Sequence, residues 1–424
     1  MKLLIKNGRV VDPGNGIDAI MDVFVAAGKI VGMGAAPAGF HANREINAKD
    51  LVVCPGLVDL SARLREPGFE YKATLESEME AAVAGGITSL ACSPDTDPPL
   101  DEPGLVEMLK HRARSLNQAH VYPIGALTQG LQGERLTEMA ELRDAGCVAF
   151  GQSDMPLTNA RVMMHAMQYA STFGFGVWLR PQDASLADGG VAHDGEVATR
   201  LGLPAVSVCA ETVALSNIIL MARETGAAVH LCRISSAEGV AMVRAARLQG
   251  LPVTCDVTAN HIHLSEMDIG FFDSNCHLVP PLRGLSDRNA LRAGLLDGTI
   301  DAICSDHTPV DDDAKLLPFG EAEAGATGLE LLLPLTLKWA MEMKIPLAAA
   351  VARITVEPAR ILGIDAGHLS PGTAADLCIF DPDQYWKVEA AALKSQGKNT
   401  PFLGMELQGR VKYTLVNGNI VHQG

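Results

Sequence analysis

Through the middle of the chain, apolar residues come in short dense runs, separated by longer stretches where they recur at helical spacing. The short runs are 51–60 (LVVCPGLVDL), 86–93 (GITSLACS), 120–127 (HVYPIGAL), 147–151 (CVAFG), 176–180 (GVWLR), 228–234 (AVHLCRI), 252–258 (PVTCDVT) and 301–305 (DAICS). Runs this short and this apolar predict buried strands. Between most of them lie Ala-, Leu-, Met- and Glu-rich stretches, such as 75–84, 104–116, 212–225 and 237–249, that suit amphipathic helices. Strand and helix alternating eight times over predict an α/β chain folded as a (β/α)8 TIM-like barrel. A doubly wound open sheet is the competing architecture, but no GxGxxG follows an early strand.

The two ends have a different texture. Near the start, "KLLIKNGRVV", "MDVFVAAGKIVGMG" and "REINAKDLVV" read as short strands punctuated by Asn-Gly, Pro-Gly-Asn-Gly and Ala-Gly-Lys turns. Similar stretches, "GTAADLCIFDP" and "VKYTLVNGNIVHQG", return near the end. The expected division is a small β-sandwich formed from both termini, residues 1–52 and 366–424, around a barrel at 53–365.

Composition narrows the function classes. Hydrophobic residues make up 48% of 424 positions, enough for a sizeable core, and with aromatics at 4% that core is mostly Ala, Val, Leu and Ile. A formal charge of −16 argues against a nucleic-acid binder or a basic membrane-surface protein. The nine cysteines include no CxxC pair, and Cys54, Cys92, Cys147, Cys232, Cys255 and Cys304 sit in apolar runs. They read as small buried hydrophobes in a reducing compartment. The opening "MKLLIKNGRVVDPGNG" turns polar too early for a signal peptide, and no apolar run reaches membrane-spanning length. A cytoplasmic location is expected.

Active sites of such barrels lie at the C-terminal ends of the strands. The residues falling there are Ser61, Arg63 and Arg65 after the first strand, and Pro94, Asp95 and Thr96 after the second. Gly151, Gln152 and Ser153 follow the fourth, Arg180 the fifth, Arg233 the sixth, and Asp306 with His307 the eighth. This set suits a metal poorly, because arginine is always protonated and offers no lone pair. Of these, Asp306 and His307 offer ligand atoms, and two ligands rarely hold a metal against water. His261 and His263 have the spacing of a metal pair, with hydrogen-bonded imidazoles as the plainer reading; Asp311–Asp313 reads as a solvated loop. No GxSxG, HExxH or phosphate-binding glycine loop occurs. Cys232 and Cys304 are the least implausible thiol nucleophiles, with barrel packing the stronger alternative.

The segment "CPGLVDLSARLREPGFEYKATLESEMEAAVAGGITSLACSPDTDP" resembles the dihydroorotase block PGLIDxHxHLREPGxExKE…AAxxGGFTxVxxMPNTxP. "LPFGEAEAGATGLELLLPL", "VEPARILGI", "GHLSPGTAADLCIFDP" and "KNTPFLGMELQGRVKYTLVNG" resemble its later blocks, so the likeness spans essentially the whole chain. It implies an amidohydrolase barrel with a small β-sandwich, a zinc-dependent interconversion of N-carbamoyl-L-aspartate and L-dihydroorotate, and a place in de novo pyrimidine synthesis.

Departures from that block fall on the chemistry. The family's paired metal histidines fall on Ser61 and Arg63, its strand-four ligand on the segment ending in Ser153, and two further histidines on Arg180 and Arg233. The strand-eight aspartate is kept as Asp306, and Arg65 and His307 match substrate-carboxylate contacts. Two asparagines of the substrate pocket fall on Asp95 and Val279. The resemblance therefore predicts a catalytically inactive homologue without the family's zinc and with no other cofactor. Arg63, Arg180 and Arg233 are expected to place positive charge opposite Asp306, because a buried carboxylate stripped of its cation is costly. In several bacteria dihydroorotase-like chains, some of them non-catalytic, assemble with aspartate carbamoyltransferase, so the resemblance implies that enzyme as the expected partner, in a homo- or hetero-oligomer. The rival readings are an amidohydrolase with a rearranged site and an anion-sensing module built on the arginines.

Overall fold

The structure, a computed structural model, describes residues 2–424. Eight parallel strands pair in sequence order: β1 (Leu57–Ala62), β2 (Ile87–Cys92), β3 (His120–Ala126), β4 (Ala149–Gly151), β5 (Val177–Leu179), β6 (Val229–Leu231), β7 (Val253–Thr258) and β8 (Ala302–Cys304). β8 returns to β1 at the C-terminal end. There the Arg63 amide donates to the His307 carbonyl at 2.9 Å and the His307 amide to the Ser61 carbonyl at 3.1 Å. Below this seam Ser305 donates to the buried Asp59 carboxylate through its amide (2.8 Å) and hydroxyl (2.5 Å). Burial pushes Asp59 up to about 6. The result is a nearly closed TIM barrel.

The barrel interior is filled rather than hollow. Val58, Leu60, Ala91, Ile124, Ala149, Trp178, Ala302 and Cys304 form one internal cluster, closed at the far end by Ala359 and Leu362. Helices cover the outside. The one at Leu75–Ala84 starts at Thr74, whose hydroxyl accepts from the Ser77 amide while Ser77 closes the reciprocal bond of a capping box. Those at Pro103–Ser115, Cys209–Thr225 and Ala237–Leu248 follow the helical spacing of the sequence to within three residues at each end.

The two termini meet in one mixed sheet, in the order Asn419–Gln423, Glu406–Val416, Leu377–Lys387, Val52–Pro55, Lys2–Asp12, Ile17–Ala26 and Lys29–Met33. Arg44–Asn47 joins alongside Lys2–Asp12. Lys2–Asp12 changes neighbour along its length: residues 3–6 pair with 44–47, and after an irregularity between Ile5 and Gly8, residues 9–10 pair with 52–53. A separate core of Leu3, Ile5, Val10, Val23, Val25, Val53, Leu377, Ile379 and Leu415 lies within this layer.

The apolar run 51–60 is therefore two strands rather than one. Gly56 divides them: its amide donates to the Asp376 carbonyl at 2.9 Å, and a Cβ there would fall 2.0 Å from Thr88 Oγ1. Val52–Pro55 belongs to the terminal sheet and Leu57–Ala62 to the barrel, so the N-terminal share of the sheet runs past residue 52.

Candidate functional site

At the C-terminal mouth the residues following β1, β2, β4, β5, β6 and β8 converge on one charge cluster. Its hub is Asp154, in the loop after β4. One carboxylate oxygen accepts from Arg180 Nε at 2.6 Å and Arg233 Nη2 at 2.5 Å, and the other accepts from Arg63 Nη2. Arg63 also donates from Nε to Asp95 at 2.7 Å and from Nη1 to Thr308 Oγ1 at 2.8 Å. Arg233 Nη1 donates to Asp306 Oδ1 at 2.9 Å and to the Val279 carbonyl at 3.2 Å. Arg63 Nη1 comes within 3.8 Å of the same Asp306 oxygen, and Ser61 Oγ donates to it at 3.4 Å. Two of the three arginines thus reach Asp306; Arg180 instead meets Asp154 and the Gln182 side chain.

The arrangement is close to electroneutral. Three guanidinium groups face three carboxylates, Asp95, Asp154 and Asp306. Burial alone would push Asp154 up, yet the charges of Arg233, Arg63 and Arg180 hold it far below the usual carboxylate range. Arg63 similarly outweighs burial at Asp95 and lowers it. At Asp306 burial prevails over Arg233 and Arg63, with Asp154 adding to the upward push. Asp95, at the position of a substrate-pocket asparagine in the family block, is occupied as a partner of Arg63.

Four of these strand-end residues share an unusual backbone. Arg65, Ser153, Arg233 and Asp306 have φ of 61°, 53°, 57° and 50°, in the left-handed region that non-glycine residues rarely adopt. Backbone outliers of this kind concentrate where a fold must aim side chains inward at a site.

The other expected contacts lie elsewhere. His307 is fully buried and turned away from the mouth: its Nδ1 accepts from the Gly328 amide at 3.1 Å, which leaves Nε2 to donate to Glu78 at 2.6 Å. Glu78 is anchored further by Ser395 Oγ at 2.7 Å and the Gln396 amide at 2.9 Å. His307 is thus a tie between β8, a barrel helix and the C-terminal segment, which corrects its expected place in the substrate pocket. Arg65 donates from Nε to the Pro309 carbonyl at 2.8 Å and is lowered to about 10, first by burial and then by Arg63. Val279 contributes its carbonyl to Arg233, ahead of a cis proline. Gln152 points back to Thr128 and the Leu131 carbonyl. Ser153 Oγ sits 3.0 Å from Ser93 Oγ.

A metal finds no suitable set of donors here. The positions to which the family likeness assigns its ligands carry Ser61, Ser153 and three arginines engaged in ion pairs, and the one carboxylate kept among them, Asp306, is itself paired with Arg233. His261 and His263 do not pair: one bonds Thr258 and the Pro281 carbonyl, the other the Leu335 carbonyl, and burial lowers both to about 4. Among the described residues one other group brings donor atoms within 4.8 Å, His230, Cys232 and Asp256. His230, on β6, lies under the arginines. Both of its ring nitrogens are engaged, by Thr254 Oγ1 at 2.9 Å and Asp256 at 3.0 Å. Asp256 also accepts the Arg233 amide at 2.6 Å, and burial keeps the Cys232 thiol protonated. Burial raises the Cys304 thiol as well, so neither cysteine presents a thiolate.

Little room is left beneath the arginines, although a recess of about 190 Å³ lined by Ser153, Arg180, Gln182 and Asn217 opens beside them. The cavity beneath the cluster, lined by Ser61, Ser93, Trp178, Cys232 and Asp256 among others, measures about 40 Å³. Small-molecule sites begin at about 300 Å³. The arginine side chains, with 4–7% of their surface exposed, occupy the centre of the mouth.

An eight-stranded parallel barrel with strand-end residues gathered at its mouth, joined to a mixed sheet from both termini, is the architecture of the hydantoinase-type amidohydrolases. L-hydantoinase from Arthrobacter aurescens superposes with a TM-score of 0.89 over 99% of this chain and 96% of its own, at 25% identity. The dihydropyrimidinase of Brevibacillus agri has the same fold, with a TM-score of 0.83 over 100% and 95% at 20% identity. In sequence, the dihydro-orotase-like family profile matches residues 50–239. A "Dihydroorotase-like protein" of Pseudomonas aeruginosa is 45% identical over the full length of both chains. A "Dihydroorotase" of Geobacter is 41% identical, again over the whole of both. The chain belongs to the dihydroorotase-like family.

Proposed function

We propose that this chain is a catalytically inactive member of the dihydroorotase-like family that serves as a structural subunit of an aspartate carbamoyltransferase complex in pyrimidine synthesis. The observation that carries the reading is the convergence of Arg63, Arg180 and Arg233 on Asp154. These arginines stand at positions the family likeness assigns to metal ligands, and their ion pairs hold them there. A site in use needs open volume, and beneath the arginines about 40 Å³ is left, with their charges met by Asp95, Asp154 and Asp306. Retention of the complete barrel and terminal sheet around such a site fits selection on the outer surface rather than on chemistry.

Co-expression with aspartate carbamoyltransferase from the same source, followed by size-exclusion chromatography, tests the reading. The expected outcome is one co-eluting complex whose transcarbamoylase activity depends on this chain. Separate peaks with unchanged transcarbamoylase activity refute it. Purified protein is also expected to hold less than stoichiometric zinc and to leave L-dihydroorotate unchanged; stoichiometric zinc with turnover would establish the rearranged-amidohydrolase reading instead.

A further inference from the structure

Two loops on the mouth face carry an apolar patch that neither the barrel nor the terminal sheet covers. The loop after β7 exposes Met267 (54%), Phe271 (92%) and Phe272, and the loop after β8 exposes Leu316 (81%) and Leu317. The loops are stitched together. Ser274 Oγ donates to the Lys315 carbonyl at 2.5 Å, and Lys315 Nζ donates to the Ser274 carbonyl at 2.9 Å. His277, stacked on Phe319 with centroids 5.2 Å apart, donates from Nδ1 to the Ala322 carbonyl at 2.8 Å. Phe271 and Phe272 meet edge to face at 5.6 Å. Large aromatic and aliphatic groups held outward on braced loops have the form of interface anchors.

The charge around them is one-sided. Asp268, Asp273, Asp311, Asp312, Asp313 and Glu321 lie exposed on the same two loops, and none makes an ion pair. Lys315 is the sole lysine or arginine in 266–276 and 311–323, and its ammonium is turned inward to backbone carbonyls. A second copy of this chain docked by twofold symmetry would set this acidic rim against itself. The complement is a different protein.

We propose that this patch is a docking surface for a protein other than this chain, whose contact face is an apolar recess bordered by lysines and arginines. The inference rests on the subunit reading above, under which that protein is the carbamoyltransferase. Acidic rim contacts accelerate encounter and weaken with salt, while the apolar anchors set the dissociation rate.

The test is binding of purified aspartate carbamoyltransferase from the same source to the full-length chain and to the double variant F271S/L316S. Both side chains are solvent-exposed, so the variant should melt with the wild type, which thermal scanning checks. Expected is a loss of affinity of about 30-fold or more, the scale of an interface hot spot. The triple reversal D311K/D312K/D313K should slow association and flatten its salt dependence. If F271S/L316S binds as the wild type does, the surface assignment falls while the subunit reading stands. If the wild type itself fails to bind, both fall. If F271S/L316S dissociates an oligomer of this chain alone, the occupant is a second copy and the proposal is overturned.

Discussion

Replacing Asp154 with asparagine keeps the shape of the side chain and removes the charge on which three arginines converge. Arg63 would retain Asp95 and Arg233 would retain Asp306, whereas Arg180 would be left with the Gln182 amide oxygen as its side-chain partner. The variant therefore strands one buried guanidinium, with 4% of its side chain exposed. Breaking a buried pair by removing one partner costs about 3–5 kcal/mol. Asp154 itself is 32% open to solvent, so water can replace part of the interaction and the lower end, about 3 kcal/mol, applies. With an unfolding entropy of ~2.1 cal/mol/K per residue over 424 residues, that is a fall in Tm of roughly 3–4 °C. Thermal scanning and urea titration of D154N read it directly. The companion variant R180M removes the stranded cation, and the double variant D154N/R180M should recover at least about 1 kcal/mol relative to the sum of the singles. A D154N protein as stable as the wild type, or strictly additive effects of the two changes, would refute the claim that Asp154 is the counter-charge that keeps the arginines in place.

Asp154 and Asp95 titrate lower folded than unfolded, so their stabilisation is complete above the ordinary aspartate value of about 3.9 and lost as pH falls below it; urea midpoints of the wild type should drop steeply there, and those of D154N less so. His120, raised by its bond to Asp376 at 3.0 Å, works in the opposite direction. Its contribution is complete below about 6.5 and disappears as pH rises through its higher folded value, so H120F should flatten the stability profile above about 6.5. G56A places a methyl group 2.0 Å from Thr88 Oγ1 and should cost about 1–3 kcal/mol, measured by urea denaturation. E78Q weakens the tie to His307 and Ser395 and should lower Tm without altering carbamoyltransferase binding.

The strand positions, and hence the list of residues at the mouth, were legible because buried parallel strands leave apolar runs that need no tertiary information. Asp154 was not, since an acid in "GQSDMP" looks like any solvated loop residue until three arginines from distant strands point at it. A signal was nevertheless present. Three arginines at strand ends with Asp306 as their named counter-charge leave an uncompensated positive cluster in a low-dielectric mouth, and the nearest unassigned acid was the residue after Ser153. His307 misled for the converse reason: sequence places it beside Asp306, while its backbone register aims the ring outward to Glu78. The run 51–60 concealed a change of sheet because the Pro55-Gly56 pair, and no break in hydropathy, marks it.

The terminal sheet has a consequence for the order in which the molecule can be completed. Its short central strand, Val52–Pro55, lies between a partner already synthesised, Lys2–Asp12, and one that emerges some 320 residues later, Leu377–Lys387. Throughout most of translation this strand presents an unpaired apolar edge, since its second neighbour does not yet exist. A ribosome-bound chain halted before Leu377 should therefore bind holdase chaperones and resist release even with all eight barrel strands made. Closure of the sheet by the last fifty residues would then be the step that commits the newborn chain to its native form.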